Sequence, residues 1–411
     1  MSTARETMNE PNKWYLAALV AASAACIVAI PMMAMPPLFD EISRDLGLSK
    51  LEIGTIWGMV QLPGVLIAML AGSLADRKGV GKLLPPFCVL AGVVGALRGL
   101  SVDFATLTLT VFLFGFMSAT IPMNLQKTIA VYFSGKSLGT ANGIMATGMA
   151  FGFILASMLS ATVLSPVLGG WERVLFLYGA LSVPIAGLWY LAEKKYGLTS
   201  STRSTGQWSM RSTLVEIIKT KNVWMMALVL VFYTGCINSV LGYIPMYLRD
   251  SGWPGVAADG ALATFHAVSM MMAIPLSSLS GRFGSRKVLL VPVLIATVVG
   301  VGVLSVTTSW VVWLLVIIVG VGRDAFMATS QSVTMELDEV GAAYTGTAMG
   351  FIMTWQRFGR AGGSPAGTSL SPIGLGAPFM LWAAFAAAAF VALLFVREGG
   401  RSRAPSVRRP V

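Results

Sequence analysis

One short polar pattern occurs twice in this chain, about half its length apart, each time directly after a long apolar run. The first copy reads Gly72-Ser-Leu-Ala-Asp-Arg-Lys-Gly-Val-Gly-Lys82 and the second Ser277-Ser-Leu-Ser-Gly-Arg-Phe-Gly-Ser-Arg-Lys287. A shift of 205 positions places Leu74 on Leu279, Arg77 on Arg282, Gly79 on Gly284 and Lys82 on Lys287. A second pair, Gly139-Thr-Ala-Asn-Gly143 and Gly346-Thr-Ala-Met-Gly350, lies 207 positions apart. Two matches at almost one offset mark a duplicated half. Duplicated apolar halves are how many membrane transporters are built.

Composition names the solvent. The chain is 55% hydrophobic and 11% charged, against about a quarter charged in a soluble domain. Twelve apolar runs stand near 14–39, 52–75, 84–102, 104–132, 138–165, 171–192, 223–248, 257–281, 287–307, 309–335, 342–368 and 373–396. At 1.5 Å per residue each is long enough to cross the hydrocarbon of a bilayer. The first run is too long for a signal peptide and is expected to stay as a helix. The expected division is a six-helix half over 1–192, a polar cytoplasmic linker over 193–222, a second six-helix half over 223–396 and a basic tail over 397–411. Cys26, Cys88 and Cys236 are scattered through apolar runs without metal or redox spacing and read as ordinary small apolar residues.

The basic residues set orientation. With both termini in the cytoplasm, twenty of the 29 Lys and Arg fall on the cytoplasmic side. Four (Arg44, Lys50, Arg173 and Arg249) fall outside, and five fall within spans. That bias is the positive-inside signal of a multi-pass protein of the plasma (inner) membrane. The net charge of +11 therefore reports topology. No nucleic-acid partner is expected; the basic tail faces solvent or anionic lipid heads.

The Gly72–Lys82 stretch resembles the signature loop between the second and third helices of the major facilitator superfamily, through Gly72, Leu74, Asp76, Arg77 and Gly79. The second copy carries Gly281 where the acid would stand. With the duplication and the central basic linker, the resemblance covers essentially the whole chain. It implies an all-α membrane protein of twelve transmembrane helices, arranged as two pseudo-symmetric six-helix bundles around a central cavity and working by alternating access. Asp76, Arg77, Gly79, Arg282, Arg286 and Glu336 are then expected to act as gating residues. A carboxylate at a helix end can accept neighbouring N–H groups and pair with cations, and such contacts can hold one conformation and break in the other.

Charge within the spans carries the substrate reading, because it is costly there and tends to be functional. Arg98, Lys127, Arg323, Arg357 and Arg360 are the five cations, and Asp324 is the one acid well inside a span. An arginine at mid-span costs about 2.5–3.5 kcal/mol on insertion scales, and one aspartate cannot neutralise Arg323, Arg357 and Arg360. An anionic substrate is the economical remainder. Arg357 and Arg360, three apart, share a helix face. Arg323 and Asp324 are adjacent and point about 100° apart, so they are not expected to pair with each other. Arg98 reads as a surface or snorkelling residue near Asp103. His266, the lone histidine, is placed mid-span as a packing or titrating residue, and Gln61, Tyr233 and Trp355 are expected to complete the cavity.

Other classes fit less well. Ser134-Gly-Lys-Ser137 lacks the leading glycine of a phosphate loop, since Ala130 stands there. No nucleophile–base or metal constellation appears, so an enzyme is not expected, and no cofactor is required. Proton-coupled drug exporters of the family typically carry an arginine in span four and a Gly-Pro pair in span five; this chain has neither. The expected function is secondary transport of a small anion, an organic carboxylate, by antiport or symport. It is expected to act as a monomer, with a proton-coupled multidrug exporter or a non-transporting sensor as the alternatives.

Overall fold

In a computed structural model, residues 13–65, 79–198, 217–282, 285–337 and 341–397 are described. They form helices and connecting turns, with no strand among them. Ten helices are long and apolar enough to cross a membrane. These are α1 (Lys13–Asp45), α3 (Val80–Leu100), α4 (Phe104–Tyr132), α5 (Ser137–Leu168), α6 (Trp171–Tyr196), α7 (Lys221–Asp250), α8 (Gly255–Leu279), α9 (Lys287–Leu304), α10 (Val311–Met335) and α12 (Ala377–Phe395). Between them stand α2 (Lys50–Met59), which leads toward residues outside those described, and the 28-residue α11 (Gly341–Thr368).

Local chemistry sets the ends. Ser49 caps α2 by accepting from the Glu52 N–H, and the Glu52 carboxylate accepts from the Ser49 N–H in return. Asp103 and Thr106 do the same for α4. Pro63 lies behind the end of α2, and the chain turns through Val60, Gln61 and Leu62 before it, as expected where a proline disfavours helical geometry in the residue it follows. Two π-turns, Ala24–Ala29 in α1 and Ser160–Leu164 in α5, each precede a proline, Pro31 and Pro166. The missing N–H and ring bulk of a proline disturb the regular ladder there. The first span continues past its apolar run to Asp45 because Leu38, Phe39 and Ile42 remain buried, while Glu41 and Asp45 accept hydrogen bonds from Ser165 and Trp171.

The two sequence halves meet unevenly. The larger core draws on all of α7–α12, and from the first half it takes Ile30–Ile42, Leu48, Ile53–Val60, Leu107–Phe114, Ala156 and Trp171–Tyr178, mostly near the α1–α2 connection. At the opposite end the first half keeps a separate core, built from Leu16–Val28, Val80–Ala91, Ile121–Ile129 and Ile185–Tyr196. The halves are joined at one end and separately packed at the other. Close approach makes the joint possible: a Cβ on Gly58 of α2 would overlap the Ala361 carbonyl oxygen of α11. Small residues at helix crossings permit this in membranes, where packing rather than water drives association.

Candidate functional site

The joint itself is polar at its rim. Lys50 of α2 reaches Asp250 of α7 at 2.5 Å, and the Thr162 hydroxyl of α5 donates to Asp259 of α8 at 2.6 Å. Asp259 is fully buried and also accepts two bonds from Arg249, each 2.7 Å. Deeper, the Trp57 indole donates to the Asn238 carbonyl at 2.7 Å, linking α2 to α7. An open cleft of about 520 Å³ lies over this rim, lined by Asp40, Glu41, Arg44, Thr162 and Arg249 among others.

Below the joint lie the mid-span charges. Arg357 projects from α11 against the segment that follows the break behind α2, with its guanidinium where a Cβ on Gly64 would stand. Arg360 is close enough for the charges of both Arg323 and Arg357 to act on it. Neither Arg357 nor Arg360 has a hydrogen-bond or ion-pair partner among the described residues, though both are at least half-buried. Arg323 behaves differently from the sequence expectation: it pairs with its neighbour Asp324 at 2.9 Å. A long, flexible arginine stem spans the angle that separates adjacent positions on a helix. The Asp324 backbone N–H donates to Ser269 of α8 at 3.3 Å, tying the pair to a second helix.

Three of the polar candidates close around this group. Gln61 stands at the break behind α2, between Gly58 and Gly64, and is 5% exposed. Tyr233 is 1% exposed, its ring 3.9 Å from that of Phe326 and within reach of the Arg323 charge. His266 is buried between Phe153 of α5, 5.0 Å away, and Phe265, again within reach of Arg323. Gln61 Nε2, the Tyr233 hydroxyl and both His266 ring nitrogens are buried without a hydrogen-bond partner among the described residues. A packing role for His266 therefore comes without the hydrogen bond expected of it. Trp355 is not brought to this group. Its ring joins Trp224, Phe351 and Phe358 in an aromatic cluster and is 37% exposed.

The gating expectations fall in several places. Arg286 pairs with Glu336 at 2.8 Å, between the α8–α9 turn and the end of α10. Gly79 precedes α3 with φ +80°, a conformation open to glycine. Asp76, Arg77 and the Arg282 side chain lie outside the described residues. Arg98 does not snorkel: it is 1% exposed and donates to the Pro31 and Gly95 carbonyls at 2.9 and 3.0 Å. Its guanidinium stacks 4.1 Å over Phe114, while Asp103 caps α4 instead. Sequence reasoning missed Asp259 and Asn238. An acid within the first turns of an otherwise apolar span was the available signal for Asp259; Asn238 carried none.

Comparison with known proteins agrees with this architecture. The family model of the Major Facilitator Superfamily matches residues 18–364. The chain is 25% identical over 413 residues to a gallate transporter of Pseudomonas putida, covering 90% of this chain and 88% of that one. It is 25% identical over 259 residues to a probable nitrate/nitrite antiporter, NarK1, of Thermus thermophilus, a match spanning 60% of this chain and 57% of that relative. A multidrug resistance protein, MdtG, of Enterobacter lignolyticus is 23% identical over 353 residues, covering 83% of this chain and 81% of that one. Among solved structures a mutant form of the nucleoside transporter NupG superposes with TM-score 0.78 at 14% identity, covering 94% of this chain and 100% of that one. A bacterial homologue of the lysosomal transporter Spinster, inward-facing and unoccupied, gives 0.68 at 15% identity over 96% and 95%.

Proposed function

Because the chain belongs to the Major Facilitator Superfamily, and its mid-span cations outnumber its mid-span acids, we propose that it carries a small organic carboxylate across the inner membrane. It is a multi-pass membrane transporter and not an enzyme. In the proposed orientation both termini are cytoplasmic, so the joined end faces outward and the separately packed end faces the cytoplasm. The single observation behind the anion is that Arg357 and Arg360 lack a partner among the described residues. A guanidinium away from water is costly unless paired, and a carboxylate is the ligand its planar fork fits. The buried, unpartnered Gln61 Nε2 and Tyr233 hydroxyl would donate to the same oxygens. Two relatives named for the transport of anions, gallate and nitrate/nitrite, support the same class.

The test is a thermal-shift screen of the purified protein against an anion panel, followed by uptake into vesicles with imposed gradients. Arg357→Ala is expected to abolish uptake of whichever anion the screen selects while leaving the melting transition of the unliganded protein within a few degrees. Full uptake in that variant removes Arg357 from the mechanism. Stabilisation by cationic dyes instead of anions would favour a multidrug exporter, the class of MdtG.

A further inference from the structure

The anion reading leaves the number of charges on the cargo open, and the placement of the ionisable groups restricts it. Arg323 is held by Asp324, its neighbour on α10. Both lie on one helix, so a rigid movement of the halves leaves the two side chains within reach of each other. Their combined charge stays near zero throughout. Two guanidinium groups remain, Arg357 and Arg360, on one face of α11 and close enough to act on each other. His266 faces Arg323 from α8, and a proton there would add to the positive excess. Two is therefore the minimum. Tyr233 of α7, the remaining titratable group facing Arg323, carries no positive charge in either form.

The unpartnered polar atoms around this excess lean toward donors. Gln61 Nε2 can only donate, the Tyr233 hydroxyl can do so, and a neutral His266 ring offers one donor and one acceptor. A ligand matched to such a site is rich in acceptor oxygens and carries at least two negative charges. From this, we infer that the cargo is a dianion, a short dicarboxylate held by Arg357 and Arg360 together. The inference rests on the anion-carrier reading and narrows it. One carboxylate would quench one arginine and leave the other bare when water leaves the closing site.

Matched acids separate the two readings. Full-length protein in detergent is titrated calorimetrically with acetate against malonate and with propionate against succinate, at constant ionic strength and neutral pH. At least one dicarboxylate is expected to bind about tenfold or more tightly than its monocarboxylate partner. Arg357→Ala and Arg360→Ala should each reduce that dicarboxylate to the affinity of the monoacid. Arg357→Lys, which keeps the charge and guards against a folding defect, should preserve the preference. Asp324→Asn, by releasing Arg323, should not weaken it. Monocarboxylates binding as tightly as dicarboxylates would overturn the dianion and leave the anion carrier standing. Absence of binding by all four acids in protein that melts cooperatively would overturn both.

Discussion

Arg98 and Arg357 show how two arginines in apolar spans come to differ. Arg98 is bonded within the first half, to two carbonyls through Nε and Nη1 and against an aromatic face, with Nη2 left without a hydrogen-bond partner among the described residues. That environment fixes it as a structural residue. Hydrogen bonds from a charged donor contribute about 1.5–3 kcal/mol each, so Arg98→Ala is expected to cost about 3 kcal/mol or more. Scanning fluorimetry would read this as a clear drop in melting temperature, in contrast to Arg357→Ala. The sequence set Arg98 apart by its place near a span end but read it as snorkelling; its bond to Pro31, 67 positions away, could not be read from the sequence. Asp103 offers a second test. The Thr106 backbone N–H, and then its hydroxyl, hold the Asp103 carboxyl below the ordinary carboxylate range. A carboxyl whose value is lowered on folding contributes its stabilisation at neutral pH and loses it as pH falls through that lowered value. Amide exchange at the start of α4, corrected for intrinsic rates, should therefore quicken in acid. Asp103→Asn, which caps without titrating, should flatten that dependence.

Helix pairs are where the conformational state is written. The α2–α11 and α2–α7 contacts gather at the joined end, through Gly58, Trp57 and Lys50. Lys50 and Asp250 are each about a quarter exposed, and such a pair contributes about 0–1 kcal/mol. It biases the closed rim without locking it. Lys50→Asp sets two carboxylates against each other and should shift the population toward an open rim. Spin labels on the outer ends of α1 and α7 would report longer distances, and adding Asp250→Lys should restore the short ones. An unchanged distance distribution in Lys50→Asp would remove the pair from gating. Element identity was readable from run length alone, since the described helices fall within a few residues of most of the apolar runs. The break at Gln61 was signalled by Pro63. The pairing of particular helices was not readable, because it depends on which small residues meet across a crossing, and glycine is abundant throughout.

At the scale of the whole carrier, the apolar runs and the signature loop pointed to a helical membrane transporter of this superfamily. What they could not announce is which half would hold the proposed cargo, because the repeat makes the halves alike in pattern. The mid-span charges break that symmetry, with Arg323, Asp324, Arg357 and Arg360 all in the second half and Arg98 bonded to two carbonyls in the first. With no cargo, closing both ends over Arg357 and Arg360 would strand two positive groups away from water, at about 2.5–3.5 kcal/mol each on insertion scales. The empty carrier should return slowly. Vesicles preloaded with the selected anion are therefore expected to take up labelled anion at least tenfold faster than empty ones, a difference of about 1.4 kcal/mol in barrier. Equal rates would show that the vacant form crosses freely.

The bond between Arg323 and its neighbour Asp324 has an electrical consequence. Both partners ride on α10, so that dipole travels with its helix and contributes no net displaced charge between the two access states. Every charge fixed to the protein, Arg357 and Arg360 included, returns to its place over a full cycle, so the current drawn by each turnover is set by the cargo and by whatever returns in its place. Swapping one anion for another of equal valence is electrically silent, and the membrane voltage neither drives nor resists it.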